Sequence, residues 1–239
     1  DGIVTTDFGL AADFATAVAE LADGKLLVAG YNDDFILARY NPDGSLDTTF
    51  DGDGVVLTDF SGAGDSARVI LLQGDGKIIL AGTSYSSTTD FALARYNPDG
   101  SLDASFDGDG KVLTDIAGGM DRIQAAALQV DGKIVVGGSS DALALDFVLA
   151  RYNADGSLDI SFDGDGLLST DIDGDADACI ALVVQPDGKI LAAGYTANPS
   201  NYNFALARYN PDGSLDTTFD GDGKLESDLT GGNDRALSL

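Results

Sequence analysis

A twenty-residue string that occurs four times constrains the fold of this chain more strongly than any other sequence feature. Each copy reads Phe-x-Leu-Ala-Arg-Tyr-Asn and continues into a stretch rich in Asp and Gly. The copies occupy residues 35–54, 91–110, 147–166 and 204–223. Their arginines lie 56 or 57 residues apart, at Arg39, Arg95, Arg151 and Arg208. A fixed period of this length is typical of proteins built from repeated structural units.

Each period predicts four short β segments, which in the second period are residues 55–60, 67–73, 77–84 and 91–96. An Asp-Gly-Lys turn between apolar runs predicts a hairpin. The second segment is apolar on both sides, so we expect it to be buried on both faces, with the first segment in an outer position. Four strands in about 50 residues match a propeller blade. We therefore predict an all-β fold, a β-propeller of four-stranded blades. A β-solenoid is the alternative, but its coils usually have about 20–30 residues.

We expect one repeat domain over residues 1–239. Its units are predicted at residues 1–54, 55–110, 111–166 and 167–223, with a partial fifth unit at 224–239 that holds only the first two segments. This count fits a four-bladed ring with two added strands, a fragment of a larger propeller, or an open array that pairs with neighbouring chains. The first two residues match the end of the repeated string, so we expect a chain processed or cut from a longer one. Because an incomplete sheet exposes unpaired backbone groups, self-association through the terminal repeat is predicted.

Charge and composition exclude several classes of partner. The net charge of −27 comes from 40 acidic and 13 basic residues, and all but two of the acids are aspartates. This charge repels nucleic acids and anionic membranes, so neither is expected as a partner. No apolar run approaches the ~20 residues of a membrane-spanning helix, so no membrane insertion is expected. With no His and one cysteine, Cys179, the chain can form neither an internal disulfide nor a His or Cys metal site.

The motifs Asp-Gly-Lys-Ile, Phe-Ala-Leu-Ala-Arg-Tyr-Asn-Pro-Asp-Gly-Ser-Leu-Asp and Phe-x-Gly-Asp-Gly resemble those of the delta-60 repeat family, over nearly the whole chain. Those bacterial repeats are predicted to form propellers in large secreted and surface-associated proteins, and they have no established activity. The resemblance therefore implies an extracellular or cell-surface location. The chain departs from the family where it has Asp in place of the more usual Gly, which adds one oxygen ligand per unit, at Asp51, Asp107, Asp163 and Asp220.

The Asp-rich connections are candidate calcium sites, because oxygen-bearing side chains alternate there along Gly-rich turns. Calcium takes 6–8 oxygen ligands at about 2.3–2.6 Å and tolerates irregular geometry. The spacing resembles the first half of an EF-hand loop, but the Gly and Glu that complete such a loop are missing. The predicted ligands are Asn41, Asp43, Asp47, Asp51, Asp53, Asn97, Asp99, Asp103, Asp107, Asp109, Asn153, Asp155, Asp159, Asp163, Asp165, Asn210, Asp212, Asp216, Asp220 and Asp222.

The same residues also have structural interpretations. Asn-Pro-Asp-Gly is a β-turn sequence, and Asp47 can pair with Arg39, which lies on an apolar strand and needs a buried acceptor. We expect the repeat arginines to fasten each connection to its strand and Phe50 to anchor it in the core. The hydroxyl of Tyr40 is expected near solvent and Lys25 is expected to be solvated. The same expectations hold for their equivalents in the other periods.

The sequence predicts no enzymatic activity. Without His a catalytic triad is excluded, and Cys179 lies on an apolar strand that suits a core residue. A carboxylate pair for glycoside hydrolysis is the remaining catalytic alternative. However, an active site needs a unique constellation, and nearly every carboxylate here has copies in the other units.

A second alternative is a carbohydrate- or ligand-binding, lectin-like propeller. Its sites would use the variable loops at residues 31–34, 85–90, 141–146 and 197–203, with an aromatic platform from Tyr31, Tyr85 and Tyr195. The favoured prediction is a secreted, non-enzymatic repeat module with a structural or adhesive role at a cell surface or in an extracellular assembly. Calcium is its predicted cofactor, and another copy of the chain, a surface glycan or a surface protein is its predicted partner.

Overall fold

The computed structural model describes residues 2–9, 12–60, 64–86, 88–143, 145–173, 176–197, 201–229 and 231–239, and these form two compact units, Asp1–Thr114 and Asp115–Leu239. Each unit contains two antiparallel four-stranded sheets in which strands adjacent in sequence pair with each other. The four-stranded blades predicted from the sequence are therefore confirmed. Besides the strands, the described residues include one short 3-10 helix, Asp141–Leu143.

The strands of the first unit run in chain order through both of its sheets. The first sheet consists of β1 (Phe14–Glu20), β2 (Leu26–Tyr31), β3 (Phe35–Tyr40) and β4 (Val55–Thr58). The second sheet consists of β5 (Asp65–Leu72), β6 (Ile78–Tyr85), β7 (Thr89–Tyr96) and β8 (Lys111–Thr114).

The second unit repeats this order. Its first sheet consists of β9 (Asp121–Leu128), β10 (Ile134–Ser140), β11 (Asp146–Tyr152) and β12 (Leu167–Thr170). Its second sheet consists of β13 (Asp177–Val184), β14 (Ile190–Ala197), β15 (Tyr202–Tyr209) and β16 (Lys224–Ser227).

Each sheet takes its fourth strand from the beginning of the next sequence period. β4 opens the second period but pairs with β3, with Phe35 opposite Thr58. In the same way β16, which opens the partial fifth repeat, completes the fourth sheet by pairing with β15. The structural blades are therefore offset by one strand from the sequence periods.

The first segment of the first period, residues 3–8, and the second segment of the partial fifth repeat, residues 236–239, are also predicted strands, but they are not in strands. A strand needs a ladder of backbone hydrogen bonds with a neighbour. Here the contacts are single ones: Tyr40 donates its hydroxyl to Thr6, and the Ala236 N–H donates to the Gly194 carbonyl.

A β-bulge in the first strand of each sheet explains why the second strand has a Gly opposite it. In the second sheet the register shifts between Ala67 and Val69, opposite Gly82. A Cβ atom on Gly82 would lie 2.1 Å from the Ser66 carbonyl oxygen, so only Gly fits there. The same approach of a backbone carbonyl occurs at Gly30, Gly138 and Gly194.

Each unit has its own hydrophobic core of aromatic and aliphatic side chains. Phe35, Leu37 and Phe50 are fully buried in the first, and Phe147, Phe162 and Cys179 are fully buried in the second. The predicted roles of Phe50 and Cys179 as core residues are therefore confirmed. Burial also raises the pKa of the Cys179 thiol to about 12, so the thiol stays protonated.

The prediction that the repeat tyrosine hydroxyls lie near solvent is wrong for three of the four tyrosines, whereas Tyr40 is partly exposed. Tyr96, Tyr152 and Tyr209 are fully buried, and the hydroxyl of Tyr96 shares a 2.7 Å hydrogen bond with Thr58. The hydroxyl thus points at the neighbouring sheet of its unit and not at solvent, because a buried phenol is retained only where its polar end finds a partner.

Candidate functional site

The predicted calcium ligand Asp47 is the acceptor of an ion-pair network. Its Oδ2 accepts hydrogen bonds from Arg39 Nε at 2.6 Å and from Lys25 Nζ at 2.8 Å. Its Oδ1 accepts from the Thr49 hydroxyl at 2.7 Å and the Thr49 N–H at 3.1 Å. The carboxylate is nearly fully buried, and these four bonds occupy its acceptor sites. The pKa of Asp47 lies well below its usual range, chiefly because of the Lys25 hydrogen bond.

The same network recurs in every period. The Arg Nε to Asp Oδ2 distances are 2.7, 2.7 and 2.6 Å in the pairs Arg95–Asp103, Arg151–Asp159 and Arg208–Asp216. The lysines that join these pairs are Lys77, Lys133 and Lys189. Each guanidinium also lies 4.5–4.8 Å above the ring of the loop phenylalanine, a cation–π contact. The arginine thus fastens the loop to its strand, as predicted. The lysines are partly exposed but are not free solvated charges, because each forms an ion pair with the Asp that binds the arginine.

The network also joins neighbouring sheets within each unit. Arg39 Nη1 donates to the Pro98 carbonyl at 2.6 Å, and the Asp51 N–H donates to the Asp99 carbonyl at 2.7 Å. In the second unit, Arg151 donates to the Pro211 carbonyl and the Asp163 N–H donates to Asp212. The Asp-rich connection of one sheet is therefore held against the turn of the next.

The other predicted ligands shape turns. Asp43 Oδ1 accepts from the Ser45 N–H and hydroxyl, the Asn41 amide donates to Ser45, and Asp53 Oδ1 accepts from the Val55 N–H. Asp51 is exposed and adopts a left-handed φ of 49°, a conformation that Asp tolerates better than most residues. The equivalent loop bonds recur around Asp99, Asp109, Asp155, Asp165, Asp212 and Asp222.

The structure does not gather these residues into a compact acidic group. Within the described residues, no set of three acids whose oxygens lie within 4.8 Å of one another includes any of the twenty predicted calcium ligands. Calcium binding by the loops therefore remains a prediction.

Different aspartates come together in each unit, and sequence reasoning missed them. Asp34, Asp59 and Asp65 form one cluster, with oxygens within 4.8 Å of one another. Asp34 precedes β3 and Asp59 follows β4, so the pairing of Phe35 with Thr58 places them side by side. Asp65 is the first residue of β5, in the next sheet. Asp146, Asp171 and Asp177 form the equivalent cluster of the second unit.

In the buried member of each cluster, one of the two carboxylate oxygens lacks a hydrogen-bond partner among the described residues. Asp65 is 2% exposed; its Oδ2 accepts from the Phe60 N–H at 2.9 Å, whereas its Oδ1 has no hydrogen-bond partner among the described residues. Burial raises the pKa of Asp65, hydrogen bonds from Ser84 and the Phe60 N–H lower it in part, and the charges of Asp59 and Asp34 raise it again.

The same holds in the second unit. Asp177 is 1% exposed, and its Oδ1 also lacks a partner among the described residues. Burial, with the charges of Asp146 and Asp171, raises the pKa of Asp177 to about 6. The recurrence of Asp at these three positions of the period was the only signal available in the sequence.

The tyrosines predicted to form a ligand-binding platform lie in a groove in the first unit, but contact other side chains in the second. In the first unit, Tyr31 and Tyr85 line one groove together with Phe14, Asn32 and Arg68. In the second unit, by contrast, Tyr195 contacts Tyr202 edge to face, and the Arg235 guanidinium covers both rings. Ser87, Ala144 and residues 198–200 of the variable loops lie outside the described residues. In the part of the chain that is described, no helix has the length and hydrophobicity needed to cross a membrane.

Comparison with known families identifies the repeat. The sequence matches a family described as a domain of unknown function (DUF5122) beta-propeller over residues 21–50, 73–106, 129–162 and 185–219. These segments make up more than half of the chain and include the Arg–Asp–Lys network of all four periods. No curated protein matches the sequence.

Solved structures resemble the chain at low identity. A Bacteroides caccae protein of unknown function is 14% identical with a TM-score of 0.52, over 92% of this chain and 69% of its own. A Dyadobacter fermentans protein of unknown function is 13% identical with a TM-score of 0.56, over 89% and 63%. An ulvan lyase, a polysaccharide lyase, is 12% identical with a TM-score of 0.56, over 90% and 55%. The chain thus spans between 55% and 69% of these proteins. At such identities the likeness concerns the fold alone.

Proposed function

Because the chain belongs to the DUF5122 beta-propeller family, we propose that it is a non-enzymatic repeat module with a structural or adhesive role at a bacterial cell surface or in an extracellular assembly. The resemblance to the delta-60 repeats supports the extracellular location and remains a resemblance. The high acidic charge also suits a protein that works outside the cell beside divalent cations.

One observation supports this proposal above the others: the charged groups that recur in every period form contacts within the fold. Arg39 joins Asp47 of its own loop and the Pro98 carbonyl of the neighbouring sheet, and the Arg–Asp–Lys network recurs in all four periods. The Asp47 carboxylate is therefore a poor general acid or nucleophile, because its pKa lies well below its usual range and its acceptor sites are filled.

Localisation and surface binding test the proposal. Immunogold electron microscopy of the source bacterium should place the protein at the cell surface or in extracellular fibres. Purified protein should bind to cells from which the native protein has been removed. Label confined to the cell interior would overturn the proposal, and so would turnover of a polysaccharide or lactone by the pure protein that is lost in an aspartate variant.

A carbohydrate-binding role is the second candidate, and the groove of the first unit favours it. Tyr31 and Tyr85 supply aromatic faces beside the polar groups of Asn32 and Arg68, a combination that suits a sugar ring. A glycan array probed with wild-type protein and with Tyr31→Ala tests it. Binding that this substitution abolishes would replace the structural role with a lectin-like one.

Self-association through the partial fifth repeat is the third element of the proposal. β16 is used within the fourth sheet, so residues 231–239 are the part of that repeat left to pair with another copy. Within this segment, Asp234 corresponds to Asp177 at the start of β13, because each donates its N–H to a carbonyl at the start of the third strand of the preceding sheet. Sedimentation velocity should show assembly that is lost when residues 236–239 are deleted. A monomer at all concentrations would exclude it.

A further inference from the structure

We propose that the clusters Asp34–Asp59–Asp65 and Asp146–Asp171–Asp177 are divalent-cation sites that bind calcium, and that each ion fastens two successive sheets of its unit. These sites are distinct from the Asp-rich loops, and they do not depend on the structural or adhesive role proposed above.

The geometry fits one ion per cluster. The three carboxylates of each cluster offer oxygens within 4.8 Å of one another. An ion about 2.4 Å from each ligand accepts ligands up to about 4.8 Å apart, so one calcium ion can contact all three residues. Two of the ligands belong to one sheet and the third opens the first strand of the next, so the ion would bridge the sheets.

The buried aspartate is the observation that points to a ligand. Asp65 Oδ1 and Asp177 Oδ1 are buried and have no hydrogen-bond partner among the described residues, although each carboxylate faces two others. A buried charge without a counter-charge is strongly unfavourable. A cation bound to the three carboxylates would supply the missing counter-charge and neutralise the repulsion between the three groups.

Two lysines contact backbone carbonyls beside the clusters. Lys111 Nζ donates to the backbone carbonyl of Asp59 at 3.1 Å, and Lys224 Nζ donates to the carbonyl of Asp171 at 2.9 Å. Ser169 donates to Asp146 Oδ2 and would orient it as a ligand. An all-oxygen set without His or Cys selects a hard cation. Calcium accepts an irregular set more readily than magnesium, which needs a near-ideal octahedron.

The chain itself indicates which variants should fold. The fourth period has Asn203 at the position of Asp34 and Asp146, directly before the conserved Phe of its strand. Asn203 is accommodated at the start of β15, where its amide donates to Glu226. Asp34→Asn and Asp146→Asn therefore remove one charged ligand each while keeping a side chain that this backbone position accepts.

Calorimetric titration of chelator-treated protein with CaCl₂ in 150 mM salt tests the proposal. Wild type should bind calcium saturably, and Asp34→Asn and Asp146→Asn should each lose one equivalent or at least tenfold in affinity at one site. The matched control is Asp51→Asn, which makes the same change of charge in an exposed loop and should bind like wild type. The melting temperature should rise with calcium in wild type and rise less in the double variant Asp34→Asn/Asp146→Asn.

The remaining outcomes each overturn the proposal. Absence of saturable binding, or an equal small loss in all three variants, would mean that calcium acts only as a diffuse counter-ion. Loss confined to Asp51→Asn would move the ion into the Asp-rich loops predicted from the sequence. A failure of the surface-localisation experiment, by contrast, would leave this result unaffected, so the two proposals fail separately.

Discussion

Arg39 Nε lies 2.6 Å from Asp47 Oδ2, and this buried pair joins a strand to the long connection that follows it. The same guanidinium reaches the Pro98 carbonyl of the neighbouring sheet. One side chain therefore closes its own blade and contacts the next, and the repeat places an identical pair in each period.

Removing the acid from the network should strongly destabilise the fold. Asp103→Ala leaves Arg95, which is 5% exposed, without its carboxylate, and Lys77 loses the same partner. We expect a loss of about 3 kcal/mol, as for other broken buried ion pairs. Urea unfolding measures it, with the exposed Asp51→Asn as a control. The double variant Arg95→Met/Asp103→Ala should cost less than the sum of the two single ones, and full additivity would contradict the coupling.

The glycine opposite the β-bulge should not tolerate a side chain. In Gly82→Ala the new Cβ would meet the Ser66 carbonyl oxygen at 2.1 Å, so the backbone must shift. We expect a loss of at least about 2 kcal/mol in the free energy of unfolding. Gly74→Ala is the control, because a Cβ there meets nothing within 4 Å, and its effect should stay within about 0.5 kcal/mol. Similar stability in both variants would show that the sheet absorbs the contact.

The buried tyrosine hydroxyls should stabilise the contact between sheets. Tyr96→Phe removes a 2.7 Å hydrogen bond and leaves the buried Thr58 hydroxyl without it, which we expect to cost about 1–2 kcal/mol. Tyr40→Phe removes the equivalent bond to Thr6, where both residues are partly exposed and water can replace it. Its effect should be smaller. Thermal melts of the two variants compare them directly, and the reverse order would contradict the assignment.

Stability should fall as the solution is acidified below about pH 4. Asp47, Asp103, Asp159 and Asp216 have lowered pKa values in the folded protein. The unfolded chain, whose Asp pKa is about 3.9, therefore takes up protons first, and the stability present at neutral pH is lost as the pH falls further. Urea midpoints at pH 7, 5, 4 and 3 test this. Asp103→Asn should be less stable at pH 7 and lose less below pH 4, whereas parallel curves would exclude the network as the cause.

Much of the fold is predictable from the repeat. The fixed period, the Asp-Gly-Lys turns and the doubly apolar second segment predict four-stranded blades, and the need of a buried Arg39 for an acceptor predicts its pairing with Asp47. These inferences succeed because each depends on residues that lie close together in the chain.

The features that could not be predicted from the sequence depend on contacts between residues that are distant in the chain. The sequence cannot show that β4 belongs with the preceding period, because a strand's pairing is decided by which neighbour has an open edge. It also cannot show that Lys25 is drawn to Asp47, or that the Tyr96 hydroxyl finds Thr58 on another sheet.

By itself, then, the sequence determined the repeating unit, its all-β character and the local pairs that hold its long loop. The tertiary structure alone decided where the blades begin and which aspartates meet. Beyond their recurrence in the period, nothing in the sequence links Asp34, Asp59 and Asp65, and they converge only because strand register and the start of the next sheet bring three separate backbone positions to one point. The local sequence determines the backbone conformation of each segment, whereas the grouping of three carboxylates depends on how the segments pack in the folded chain.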